Sequence, residues 1–186
     1  MPRAGLSADA VVAVAAALLD ADPATELTLS RVAVELGVKT PSLYNHVAGL
    51  GDLRRRVAMA GIVELGDALR TAVMGRSGPD AVRALAAAYR AYAVAHPGIY
   101  PLTQEARPGD PEYAALGLRT IEPAAAALRS CDVAEDELIH RIRAVRSALH
   151  GFVLLETRHG FGIPVDIDAS FETLIEILVT SCRTPA

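Results

Sequence analysis

Apolar residues recur at three- and four-residue intervals through nearly every long segment of this chain, and the two-residue alternation of a strand is absent. That pattern restricts the fold to packed helices, and local punctuation sets their ends. Val11, Ala15, Leu18 and Leu19 form a stripe that starts after the N-cap candidate Ser7 and stops at Asp20-Ala21-Asp22-Pro23. Thr28 caps a second, short helix with Leu29, Val32, Ala33 and Leu36 on one face, and Gly37 ends it. Thr40 reads as an N-cap with Pro41 in the first helical position, opening a helix of barely two turns through Val47. A fourth helix starts near Gly51 or Asp52 and carries Leu53, Val57, Met59, Ile62, Leu69 and Val73.

Gly75-Arg76-Ser77-Gly78-Pro79 is the clearest linker. Beyond it the spacing predicts a helix from Asp80 to about Ala95 with Val82, Leu85, Tyr89 and Tyr92 aligned, broken by His96-Pro97-Gly98. A short helix through Leu102 follows, then one from Pro111 to Arg129 kinked at Pro123. The longest pattern, Ala134 to about His159, aligns Leu138, Ile142, Val145, Leu149 and Phe152. The last, Ala169 to Cys182, is apolar on more than one side and so calls for two packing partners.

At 186 residues and 52% apolar the chain is globular, long enough for a large domain or a small one joined to a larger one, without metal or disulfide staples. No apolar run reaches a membrane-spanning length of about 18 residues. Asp9, Asp20 and Asp22 argue against reading Ala10 to Leu19 as a signal-peptide core, which places the protein in the cytoplasm with no membrane partner. Cys131 and Cys182 form no disulfide framework or metal set and read as buried thiols of a reducing compartment. The net charge is −4, yet residues 28–56 carry five basic against two acidic side chains.

That basic segment contains two short helices separated by a glycine-bearing turn, the arrangement of a helix-turn-helix. Ala33 is small where the helices cross, and Val38, Leu43 and Val47 point inward. Lys39, Thr40, Ser42, Tyr44, Asn45 and His46 are left outside, all of them hydrogen-bonding types at the N-terminal part of a helix suited to the major groove. An ordinary solvated surface is the plainer reading of such a face, and the flanking pattern disfavours it.

Through Leu27-Thr28, Val32-Ala33, Leu36-Gly37-Val38 and above all Thr40-Pro41-Ser42-Leu43-Tyr44-Asn45-His46-Val47, residues 6–58 resemble the tetracycline-repressor (TetR) family. The C-terminal part is similar to a His-Gly-containing ligand domain of that family through 91–100 and Ala148-Leu149-His150-Gly151-Phe152. The resemblance implies an all-α homodimer: a three-helix DNA-binding head over 1–53, and a helical bundle over 54–186 that binds a small molecule and pairs through its last two helices. It implies base or groove contact from Thr40, Pro41, Ser42, Tyr44 and Asn45, and phosphate contact from Thr28, Tyr44 and His46, with Ser30 and Lys39 beside them and Arg3 as a minor-groove arm. Where the family usually has a basic phosphate clamp at the start of the fourth helix, this chain has Leu50, with Arg54, Arg55 or Arg56 as replacements.

The expected ligand pocket draws on Tyr89, Tyr92, Tyr100, Tyr113, Leu116, Leu149 and Phe152 for walls and hydroxyls, and on His150 and Glu156 to orient a polar group. Plain core is the competing reading for the aromatic residues. Two E-x-x-H pairs, Glu137/His140 and Glu156/His159, fall on one helix about 28 Å apart and cannot share a metal within one chain. No nucleophile elbow, phosphate loop or carboxylate site appears, so neither an enzyme nor a cofactor is expected. The sequence thus predicts a repressor released from a palindromic operator by a small, largely apolar ligand. The alternative is a helical small-molecule binding protein, or a ligand-independent regulator with weakened DNA binding.

Overall fold

A computed structural model describes residues 6–183, with side chains through 180, and every regular element among them is a helix. In chain order these are α1 (Ala8–Ala21), α2 (Leu29–Glu35), α3 (Thr40–Leu43), α4 (Leu50–Val73), α5 (Gly78–Ala95), α6 (Tyr100–Thr103), α7 (Pro111–Arg129), α8 (Leu138–Thr157) and α9 (Ile167–Arg183). Arg3 lies outside the described residues, and Cys182 outside the described side chains.

Among the described residues the helices form two compact units, one of residues 6–62 with 95–109, the other of 63–94 with 110–183. The expected boundary at residue 53 falls inside α4, which is unbroken from one unit into the other. In the first unit Val11, Ala15, Leu27, Val32, Leu43, Val47, Leu53 and Val57 are almost wholly buried. Caps set the helix starts: Ser7 Oγ accepts from Ala10 N at 3.1 Å, and Thr28 Oγ1 from Arg31 N at 3.2 Å.

In the second unit α7 packs on α8 and α8 on α9. The buried stripe of α8 is Leu138, Ile142, Val145, Leu149 and Val153. Phe152, expected on that stripe, is half-buried, because an 11-residue step from Ile142 closes three helical turns at residue 153. Helix α8 starts at Leu138, four residues later than expected. Pro123 lies inside α7, buried. Helix α9 buries Phe171, Ile175, Leu178 and Val179 and leaves Ile177 61% exposed on another side. Cys131 is only partly buried, since it sits in the tight turn after α7, where its N–H bonds Leu128 O and Asp132 takes φ +60°. Among the described residues no helix is long and apolar enough to cross a membrane, and no cluster of His, Cys, Asp and Glu could hold a metal ion.

Candidate nucleic-acid interface

The turn between α2 and α3 is built on Gly37, whose φ of +65° suits a residue without Cβ. Gly37 N–H bonds Val34 O at 3.0 Å and Val38 N–H bonds Ala33 O at 2.9 Å, closing the end of α2. Helix α3 then starts one residue earlier than the sequence pattern suggested. Lys39 is the N-cap, with no side-chain capping bond, and Thr40 is already helical. Proline is tolerated in this first turn because its missing N–H has no intrahelical acceptor there. Regular helix also stops sooner, at Leu43. Residues 44–46 form a tight turn in which Tyr44 N–H bonds Pro41 O and His46 N–H bonds Leu43 O, so three-residue spacing replaces the helical four.

Leu43 and Val47 anchor this piece from beneath, 0% and 2% exposed. Around them Lys39, Pro41, Tyr44 and Asn45 are exposed, while Thr40, Ser42 and His46 are half-buried. Of the expected DNA contacts at the start of α2, Ser30 is exposed and the N-cap Thr28 half-buried, its hydroxyl already accepting the cap bond. The Arg31 guanidinium is turned back to the carbonyls of Thr25 and Glu26, at 3.3 and 2.9 Å.

The start of α4 is held by Asp52, whose Oδ2 accepts from Ala48 N and from Arg56 Nε, each at 3.0 Å. Burial works to raise its pKa, but the Ala48 N–H and the adjacent Arg56 outweigh it and hold the carboxyl below the usual range. Arg56 is thereby tied to the turn, while Arg54 Nη2 lies 3.9 Å from Glu105 Oε1.

One clamp in this unit escaped the sequence reading. Asp20 Oδ1 accepts the N–H groups of Gly98 and Ile99, both at 3.0 Å, and its Oδ2 lies 2.7 Å from His96 Nδ1. Gly98 is packed so closely that a Cβ would sit 2.0 Å from the Leu19 carbonyl oxygen. The residues read only as a helix breaker therefore dock 95–109 on the end of α1. The available signal was an aspartate in the last turn of a helix, where the dipole disfavours an anion unless donors await it.

Among the expected ligand residues, Tyr89, Tyr92, Tyr113 and Leu149 are buried in the second unit, Leu116 and His150 are partly buried there, and Tyr100 is buried in the first unit. Glu156 is engaged by Arg90, which donates to its carboxylate at 2.8 and 2.5 Å and also reaches Asp168 at 2.7 Å. The Glu156 bonds raise the Arg90 pKa further, against its desolvation. The guanidinium lies 4.7 Å from the Phe171 ring centroid and 5.9 Å from that of Phe152, and Phe152 in turn packs on Phe161 and Phe171. Phe152 and Glu156 thus belong to a cluster centred on Arg90, a residue the sequence did not single out. An arginine among the apolar positions of one helix and a glutamate among those of another were the signal.

The geometry is that of a helix-turn-helix transcription regulator with a separate helical C-terminal unit. Residues 82–178 match the tetracyclin repressor-like C-terminal domain family. The chain is 39% identical over 92% of its length, and 79% of the relative's, to an uncharacterised HTH-type transcriptional regulator of Mycobacterium tuberculosis, Rv0681. It is 30% identical over 98% of its length, and 92% of the relative's, to another such regulator, YobS of Bacillus subtilis. A TetR variant from Acinetobacter baumannii AYE in complex with minocycline shares the fold, with a TM-score of 0.72 at 22% identity over 97% of this chain and 100% of that one. The chain belongs to the TetR family of transcriptional regulators, a family of regulators and not of enzymes.

Proposed function

We propose that this regulator represses from a palindromic operator as a homodimer and is released by a small, largely apolar ligand. The observation that carries the reading is the exposed face of Lys39, Tyr44 and Asn45, with Pro41 beside them, held over buried Leu43 and Val47. Tyr44 and Asn45 are the base readers, Thr40, Pro41 and Ser42 line the groove, and Thr28, Ser30, Lys39 and His46 meet phosphate. Pairing through α8 and α9 is supported by Ile139, Leu155 and Ile177, which are exposed in the single chain, and by Gly151, beside which a Cβ would touch nothing. The ligand region lies among α5, α7 and α8 of the second unit. Glu156 is paired there with Arg90, and a ligand's polar group would be oriented by competing for the polar groups of this region, His150 among them. That the related TetR variant holds minocycline supports a small-molecule effector. Ligand binding and operator binding are then coupled reciprocally, each weakening the other by the same factor.

Titration of a labelled duplex from the protein's own promoter region tests this. Tyr44→Ala and Asn45→Ala each lose about 1–3 kcal/mol for the cognate site, while Lys39→Ala weakens cognate and scrambled duplexes alike. Equal binding of the first two variants and wild type defeats the assignment. The second reading, a helical binding protein that does not read DNA, is favoured by one feature, the apolar Leu50 at the first residue of α4, and predicts no promoter binding at any salt concentration.

A further inference from the structure

Leu50 leaves the first residue of α4 without a cation, and Arg54 follows four residues later on the same helix face. The two are about 6 Å apart along the axis, a distance the long stem of an arginine spans. Arg54 is thus placed to reach the phosphate that a basic residue at position 50 would have met. Its guanidinium, however, faces Glu105 Oε1 at 3.9 Å, and Glu105 is held there by Arg107, which donates to the other carboxylate oxygen at 2.8 Å. All three side chains lie in the same compact unit. Glu105 sits on the segment 95–109, which α5 leads into and α7 leads out of, so both of its ends continue into the C-terminal unit.

We propose that Glu105 is an internal competitor for DNA phosphate at Arg54. With Glu105 in place a phosphate at Arg54 has to compete with a carboxylate 3.9 Å away. The pair is half-exposed on both sides, so its own contribution is small enough for a phosphate to displace. The inference rests on the operator-binding reading and adds to it a specific residue that sets affinity.

The experiment uses the full chain, the promoter duplex and a scrambled duplex, titrated across a range of salt concentrations. Glu105→Gln is expected to bind both duplexes roughly three- to tenfold more tightly at low salt and to steepen the log–log salt slope by about one per head, the signature of an added phosphate contact. Glu105→Lys goes further in the same direction. In an Arg54→Ala background the gain from Glu105→Gln disappears, and coincident thermal unfolding of the variants checks that the fold is kept. A gain that survives without Arg54 overturns the proposal, because removal of any negative charge would then account for it. So does Glu105→Gln with wild-type affinity and slope. Absence of promoter binding by the wild type instead defeats the underlying reading of the head.

Discussion

The head and the C-terminal unit secure their helices by different means. In the head, the ends of α1 and α2 are fixed by a hydroxyl or glycine a few residues away, through Ser7, Thr28 and Gly37. In the C-terminal unit the polar ties run between helices distant in sequence: Arg83 to Glu176, Arg90 to Glu156, Arg119 to Asp67. A DNA-reading surface needs short elements held in one geometry, and local capping supplies this with little buried area. A unit of long helices needs to choose among many sliding arrangements of similar apolar faces, and cross-helix charge pairs distinguish them.

The largest test of this contrast is the long-range clamp that Asp20 makes inside the head. Gly98→Ala forces a methyl group against the Leu19 backbone, where neither partner is a flexible side chain, and is expected to cost about 3 kcal/mol or more in urea unfolding. A cost under about 1 kcal/mol would mean that the head does not depend on its docked segment. Next comes Arg90→Ala, which strands the Glu156 carboxylate at 16% exposure and removes a cation from two phenylalanine rings. A loss of about 2–3 kcal/mol is expected, and Arg90→Met, which keeps the packing stem, recovers part of it. Thr28→Ala removes one cap bond and is expected to cost about 1 kcal/mol, with promoter affinity falling as α2 frays.

The smallest effect is a pH dependence carried by His150. Burial first, then the charges of Arg146 and Arg158, hold its pKa below 6.5 in the folded chain. The unfolded chain therefore takes up the proton at a higher pH than the folded one, and the contribution is fully present above about 6.5 and lost as the pH falls below it. Thermal melts of His150→Gln should show a shallower decline than wild type between pH 7 and pH 5. Parallel declines would assign the acid sensitivity to other groups.

The same contrast explains what could be read before the structure. Ser7, Thr28, Gly37 and Pro41 announce the head because each acts within four residues of itself, and the helix periods of the C-terminal unit are visible for the same reason. Small shifts of phase escape: Lys39 in place of Thr40 as the N-cap, and Val153 in place of Phe152 on the buried stripe, each turn on one residue. The role of Glu156 was hidden more deeply. Its partner Arg90 is 66 residues away, and nothing in a periodic pattern says which of several arginines a buried carboxylate will meet.

The docking of 95–109 beside α1 also bears on how such regulators can be recombined. The head is not a contiguous stretch of chain, since Asp20 needs the amides of Gly98 and Ile99. A graft that cut α4 and carried only the N-terminal helices to a new effector domain would bring Asp20 without its donors. It would also set a foreign loop against the Leu19 carbonyl, where only a glycine fits. A transplantable N-terminal unit of this protein consists of two pieces, and the second is encoded after α5.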